Sequence, residues 1–168
     1  MSIAQMFLPE LEQEIAGTRK VLERIPDDKL QWKAHPKSNT VQWVGSHLAE
    51  IPGWVEGTLT QDKWDFSPPD EPPYQTPMFD SHQAMVEELN KNAATAMRAI
   101  AAASDADFMK LWTLLFQGNE VFTMPRVAVI RGFVISHMIH HRAILTVYLR
   151  LLDVPVPALY GPSGDEEA

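Results

Sequence analysis

Residues 127–152 carry one apolar stripe at helical spacing, and two histidines take places within it. Side chains three or four residues apart share one face of an α-helix, so the spacing predicts a helix that begins near Thr123 to Pro125. The stripe consists of Val127, Ile130, Val134, His137, His141, Leu145, Tyr148 and Leu152. A long helix with a single apolar face has to bury that face against partner helices, which favours a helical bundle.

Three earlier segments show the same periodicity. The first ends at Pro26, and the second follows an expected N-cap at Thr40. The third opens at Asp80 or Ser81, where Asp80 and Gln83 resemble a capping box. The three apolar faces are Phe7, Leu11, Ile15, Leu22 and Ile25; Val44, Leu48, Ile51, Val55 and Leu59; and Met85, Leu89, Ala93, Ala96 and Ile100.

Prolines and turn residues shape the connections between these helices. Pro52 lies inside the second segment, where its missing amide donor predicts a kink just after His47. Five prolines between Trp64 and Met78 predict a long, stiff loop. Alternating apolar residues from Leu111 to Phe122, around the turn signal Gly118-Asn119, are typical of a small hairpin before the last helix.

Four helices of this length around one core predict an all-α protein, a four-helix bundle with long proline-rich loops. A chain of 168 residues with 45% apolar residues suits one domain with a substantial core. We therefore expect one bundle domain over residues 1–160. Residues 161–168, which end the chain in an acidic sequence, are expected to form a flexible tail.

Charge and cysteine content narrow the classes of function. The formal net charge is −8 and no basic stripe interrupts it, which disfavours a nucleic-acid partner. The N-terminal sequence lacks the features of a signal peptide, and no apolar stretch is long enough for a membrane span. The chain has no cysteine, so histidine and carboxylate are its strong metal ligands. These features predict a soluble, cytoplasmic domain.

Histidines His137 and His141 lie four residues apart on the stripe of the last helix, the spacing that two imidazoles need to share one metal ion. An isolated pair of this kind is a weak signal, because chance spacing or two separately hydrogen-bonded core histidines produce many such pairs. A third histidine, His47, lies on the apolar side of the second helix beside Leu48 and Ile51. Three imidazoles converging in a dry core cost free energy unless a cation satisfies them, so we favour a metal site over the structural alternative. Zinc and nickel lead among the divalent metals that suit three histidines, which leave coordination positions for water or substrate.

Several other residues are candidates for orienting the ligands or for lining a pocket. Glu50, Asn39 and Asp153 could orient the imidazole rings, although a solvated surface role is the commoner one for each. The side chain of His140 points away from that of His141 on the helix. This direction favours contact with the metal ligands from behind or a position on a dimer surface. Arg142, which follows His141, is a candidate for contact with the ligands or for lining the pocket. The aromatic residues are more commonly core, but any that border the metal would form an apolar pocket: Trp43, Trp54, Trp112 and Tyr160.

Two blocks of the sequence resemble the DinB family. They are VGSHLAE and, ninety residues later, HMIHHRAILTVYLRLLDVPVPALYGPSGDE. The resemblance implies a four-helix bundle that binds one divalent metal on His47, His137 and His141. Many members continue the H-H-R motif with Gly-Gln, whereas Ala143 and Ile144 stand there in this chain.

The resemblance also implies a range of functions. The superfamily includes metal-dependent thiol transferases that use bacillithiol, mycothiol or glutathione, and its members commonly form dimers. The leading hypothesis is an enzyme whose metal activates a thiol or water for attack on a small electrophile, with a low-molecular-weight thiol as a candidate cosubstrate. The alternatives are a non-catalytic metal-binding or stress-response protein and a dimeric scaffold. No residue of the sequence is identified as the general base.

Overall fold

Four long helical segments form the body of the protein. The structure, a computed structural model, describes residues 2–167. Helix α1 spans Ile3–Leu22, and the second segment consists of α2 (Val41–Glu50), a 3₁₀ turn (Ile51–Gly53) and α3 (Trp54–Thr60). Helix α4 spans His82–Ala102 and is followed by the short helix α5 (Asp105–Met109). The last segment consists of α6 (Arg126–Val129), a π-helical stretch (Ile130–Ser136) and α7 (His137–Leu151).

The four segments pack in a ring around one apolar core. Helix α1 contacts α4 and α7, and α2 contacts the same two helices from the other side. The core contains fully buried residues from every segment, among them Leu11, Leu48, Leu89, Ile130 and Leu145. This arrangement confirms the expected helical bundle. Within residues 2–167, no helix combines the length and apolarity that crossing a membrane would require.

The prediction of an all-α four-helix bundle holds in part: the protein is mostly helical, and a small three-stranded sheet is added at one end of the bundle. The strands are β1 (Lys63–Asp65), β2 (Leu111–Phe116) and β3 (Asn119–Pro125), in the order β1-β2-β3. Strands β2 and β3 form the expected hairpin, and β1 pairs with β2 in parallel, with Trp64 opposite Leu114. Gln117 and Gly118 have φ angles of 51° and 74°, so the tight turn falls one residue before the predicted Gly118-Asn119 pair.

Local signals at the helix ends were predicted with mixed success. Thr40 caps α2, because its hydroxyl oxygen accepts a hydrogen bond from the Trp43 amide at 3.1 Å. The proposed capping box at Asp80 is wrong, since Ser81 is the N-cap of α4. Pro52 interrupts the second segment as expected, although the break lies at Ile51–Gly53 rather than just after His47.

The C-terminal segment lies against the bundle. Asp165 pairs with Arg150 of α7 at 2.5 Å, and Glu166 pairs with Arg24. The expected flexibility of residues 161–168 stays a prediction, and Ala168 lies outside the described residues.

Candidate metal centre

Three histidine rings from two helices meet at the end of the bundle that faces the sheet. His47 lies in the last half of α2, while His137 and His141 lie one turn apart at the start of α7. Nε2 of His137 lies 3.4 Å from Nε2 of His47 and 2.9 Å from Nε2 of His141. One ring nitrogen from each residue lies within 4.8 Å of the other two. The structure thus brings together the three residues predicted as ligands.

The protonation pattern of the three rings fits a shared cation. Nδ1 of His47 lies 2.5 Å from the Glu50 carboxylate, an acceptor, so in the neutral imidazole the proton sits on Nδ1 and the unprotonated Nε2 faces the other histidines. Nδ1 of His141 is buried and has no hydrogen-bond partner among residues 2–167, and Nδ1 of His137 is buried next to the Phe133 backbone. A cation bound by the Nε2 atoms would leave each Nδ1 as the protonated nitrogen and would relieve the repulsion between the facing lone pairs.

The separations of the nitrogen atoms also suit a metal ion. Two nitrogens bound to one tetrahedral zinc ion at about 2.0–2.1 Å lie roughly 3.3–3.4 Å apart. The separation between His47 and His137 matches this value, and the separation between His137 and His141 is shorter. The cluster could therefore hold one divalent metal ion after a small movement of the His141 ring.

Burial keeps two rings of the cluster, those of His137 and His141, neutral at neutral pH. Burial, followed by the charges of His47 and His137, lowers the pKa of His141 to about 3. Burial and the charge of His47 lower the pKa of His137 as well, and the Phe133 backbone acts in the opposite direction. Neutral imidazole is the form that binds a metal, so these two histidines are in the metal-binding form at neutral pH.

The buried side chain of Glu50 orients the first ligand. Glu50 lies one turn after His47 on α2, which places its carboxylate beside the imidazole ring. The same carboxylate accepts a hydrogen bond from the Tyr74 hydroxyl, and the Thr76 hydroxyl lies 3.3 Å from Nδ1 of His47. Burial and the neighbouring Glu50 raise the pKa of Tyr74, so its phenol stays a neutral donor.

Sequence reasoning selected Glu50 and missed Tyr74 and Thr76. Glu50 has a local signal, because a carboxylate three residues after a histidine on a helix can reach its ring. Tyr74 and Thr76 lie in the proline-rich loop, and their positions depend on how that loop folds across the bundle. No spacing in the sequence relates this loop to His47.

Aromatic side chains surround the histidine cluster. Trp43 stacks on His47 with 4.6 Å between ring centroids, and Trp54 lies 5.5 Å from His47 and 5.6 Å from His137. Phe133, in the π-helical stretch, lies 5.8 Å from His137. These rings restrict the access of water to the ligands. The sequence offered Trp43 and Trp54 as possible walls of an apolar pocket beside the metal, and it did not single out Phe133.

The remaining candidates occupy other places. Trp112 is buried on β2 and lines a cavity that Trp54 also lines, and its indole nitrogen has no hydrogen-bond partner among residues 2–167. His140 is exposed, with its ring centroid 5.0 Å from that of His141. Asp153 is exposed, and Asn39 uses its backbone carbonyl to accept a hydrogen bond from Tyr148. Within residues 2–167, neither Asp153 nor Asn39 forms a hydrogen bond with any of the three histidines.

Arg142 and Tyr160 belong to a different cluster, in which both contact Glu14 of α1. The buried Arg142 guanidinium lies 2.5 Å from the Glu14 carboxylate, and the Tyr160 hydroxyl donates to the same carboxylate at 2.6 Å. Helical rotation explains this placement, because position 142 lies about 100° around α7 from position 141. Arg142 therefore joins helices instead of lining a pocket at the metal site.

The fold and the histidine cluster define a helical-bundle protein with a site that could hold one divalent metal. The chain belongs to the DinB superfamily, whose family model matches residues 10–145. It is 25% identical to the uncharacterized protein YrdA of Bacillus subtilis strain 168 over 162 residues, which cover 96% of this chain and 90% of YrdA. Its fold is similar to the crystal structure of a DinB-like protein from Bacillus cereus ATCC 10987, with a TM-score of 0.67 and 21% identity over 92% of this chain and 95% of that one. The resemblance inferred from the two sequence blocks is thereby confirmed.

Proposed function

We propose that the protein is a metal-dependent enzyme that activates a thiol or a water molecule for attack on a small electrophile. The observation that carries this proposal is the convergence of three ring nitrogens beside an open cavity of about 230 Å³, which His47 itself lines. A divalent metal ion held by three histidines, with zinc or nickel as the leading identities, lowers the pKa of a bound thiol or water and polarises a carbonyl group.

The side chains around the cluster have separate tasks in this proposal. Glu50 keeps the His47 proton on Nδ1, so that Nε2 remains a ligand. Trp43 and Trp54 exclude water from two sides of the cluster. The cavity gives a small molecule access on a further side, which favours an enzyme over a closed structural metal site.

A homodimer in the cytoplasm belongs to the same proposal. Three large apolar side chains are more than half exposed on α1 and α7, namely Met6, Val147 and Leu151. Burying such side chains in a second copy of the chain would stabilise a dimer. A low-molecular-weight thiol cosubstrate stays reduced in the cytoplasm, which supports that location.

Metal content tests the proposal directly. Tag-free wild-type protein should contain about one equivalent of a divalent transition metal by mass spectrometry, and His141→Ala should lose it, because two imidazoles bind far more weakly than three. Circular dichroism should show nearly unchanged helix content in the variant.

His140→Ala is the matched control, since it removes a neighbouring imidazole that the proposal does not use as a ligand. It should retain the metal. Loss of metal from His140→Ala, or its retention in His141→Ala, would contradict the assignment of ligands. A wild-type protein without metal even after reconstitution would leave the non-catalytic scaffold as the better explanation.

A further inference from the structure

Two adjoining cavities lie beside the histidine cluster and share four aromatic walls. Their volumes are about 260 Å³ and about 230 Å³. The shared walls are Trp54, Trp64, Tyr74 and Phe133. His47 lines the smaller cavity, while Trp112 and Gly57 line the larger one. We call the two cavities together the aromatic cleft.

The lining of the aromatic cleft carries no Asp, Glu, Lys or Arg side chain among the described residues. Apart from His47, its polar side chains are neutral, and one of them, Thr58, already donates its hydroxyl hydrogen to the Trp54 carbonyl. In the metal-free protein, an ionic group that entered the cleft would lose hydration without gaining a counter-charge from the lining side chains, which is strongly unfavourable. The cleft therefore selects against charged ligands.

The aromatic walls present flat surfaces at several angles. Trp54 stacks on Phe133 with 5.4 Å between centroids, and Trp64 meets Tyr74 edge to face at 5.1 Å. Aromatic surfaces of this kind favour a further ring by stacking and edge contacts. A dry cavity of about 150 Å³ holds benzene, so each cavity has room for one or two fused rings.

A glycine, Gly57, lines the larger cavity. A Cβ atom at Gly57 would meet no atom within 4 Å, whereas a Cβ at Gly53 would lie 3.0 Å from the Asn92 side chain. Close packing thus explains the glycine at position 53 and does not explain the one at position 57. A larger side chain at position 57 would project into free space that the aromatic cleft occupies.

We infer that the aromatic cleft binds the uncharged aromatic part of a small substrate and holds its reactive group beside His47. This inference rests on the proposed function for the identity of the reaction. The binding of the aromatic part, however, depends on the cleft alone and can be measured without metal.

A charge series on one ring system tests the selectivity. Wild-type protein, as purified and after chelation, is titrated with 1-naphthylmethanol, 1-naphthoate and 1-naphthylmethylammonium, and each dissociation constant is measured by isothermal titration calorimetry. The alcohol should bind the chelated protein at least about tenfold more tightly than either ion, because only the ions lose uncompensated hydration. Equal affinity of all three compounds would overturn the inference.

Two glycine variants locate the binding site. Gly57→Leu should weaken the binding of 1-naphthylmethanol at least about tenfold by filling the cleft. Gly132→Leu is the matched control, because a Cβ there also meets no atom within 4 Å and Gly132 does not line the cleft. Equal affinity of the two variants would refute the location.

The outcomes separate this inference from the proposed function. If the protein binds the alcohol but never contains metal, the inference about the aromatic cleft is supported and the proposal of a metal-dependent enzyme is contradicted. If the protein contains one equivalent of metal but does not bind the alcohol selectively, the inference about the cleft is contradicted and the assignment of the metal site is supported.

Discussion

At the scale of single residues, Glu50 shows how a site can be assembled from a local pattern. The carboxylate lies within hydrogen-bond distance of His47 because both residues belong to one helix at a spacing of three. It is buried, and its second hydrogen bond comes from Tyr74, so the carboxylate is held on both sides. Outer partners of this kind fix the orientation of a metal-binding imidazole and raise its basicity.

Glu50→Ala should lower the affinity for metal by about 10–100-fold, because the His47 ring loses the partner that holds its Nδ1 proton. Competition with a chelator of known affinity measures this effect. Glu56→Ala, which removes an exposed carboxylate from α3, is the control and should leave the affinity unchanged. Equal affinities of the two variants would show that Glu50 does not position the ligand.

At the scale of elements, features with local causes were predictable and features with distant causes were not. Thr40 was identified as a cap because its partner, the amide of residue 43, is three residues away. The last helix begins at Arg126, directly after Pro125 at the end of the predicted range, and Thr123 at the start of that range pairs with Thr113 across the hairpin. Strand β1 is three residues long and exists through parallel pairing with a strand almost fifty residues later, which no local periodicity reveals.

A buried ion pair joins the first helix, the last helix and the C-terminal segment. Arg142 and Glu14 have side chains 2% and 7% exposed, and Tyr160 contacts both of them. A Cβ atom at Gly17 would lie 2.7 Å from the Arg142 guanidinium, so the glycine makes room for the charged group on α1. The three segments are thus linked by one polar cluster within the apolar surroundings.

Arg142→Ala should reduce the free energy of unfolding by about 3–5 kcal/mol, because it leaves the Glu14 carboxylate buried without its counter-charge. Urea denaturation measures the change. Arg150→Ala, which breaks an exposed pair on the same helix, should have a much smaller effect. Replacing both members of the buried pair, in Arg142→Met with Glu14→Leu, should recover most of the loss. A single variant as stable as Arg150→Ala would contradict this role.

At the scale of the whole molecule, the candidate metal centre joins parts of the chain that are distant in sequence. His47 and His137 are separated by ninety residues and meet because α2 and α7 pack together in the bundle. The three histidines could be selected from the sequence because they lie on the apolar faces of predicted helices. The aromatic cleft could not, since its walls come from α3, β1, the proline-rich loop and the π-helical stretch.

The same cluster links the stability of the metal-free protein to pH. Burial lowers the pKa of His141 to about 3 and also lowers the pKa of His137, whereas an unfolded chain protonates both near pH 6.5. Their contribution is therefore fully present above about pH 6.5 and is lost as the pH falls toward about 3, because the unfolded state binds more protons over that range.

Chelated wild-type protein should therefore unfold at a lower urea concentration at about pH 5 than at about pH 7. The variant that combines His137→Ala with His141→Ala should show a smaller change in the urea midpoint between these pH values, because it lacks the two histidines whose pKa values burial lowers. The carboxylates with lowered pKa values, Asp27, Asp107 and Asp165, titrate below this window, so they do not account for the difference. An equal shift in the two proteins would mean that the histidine cluster is not held neutral by burial in the metal-free bundle.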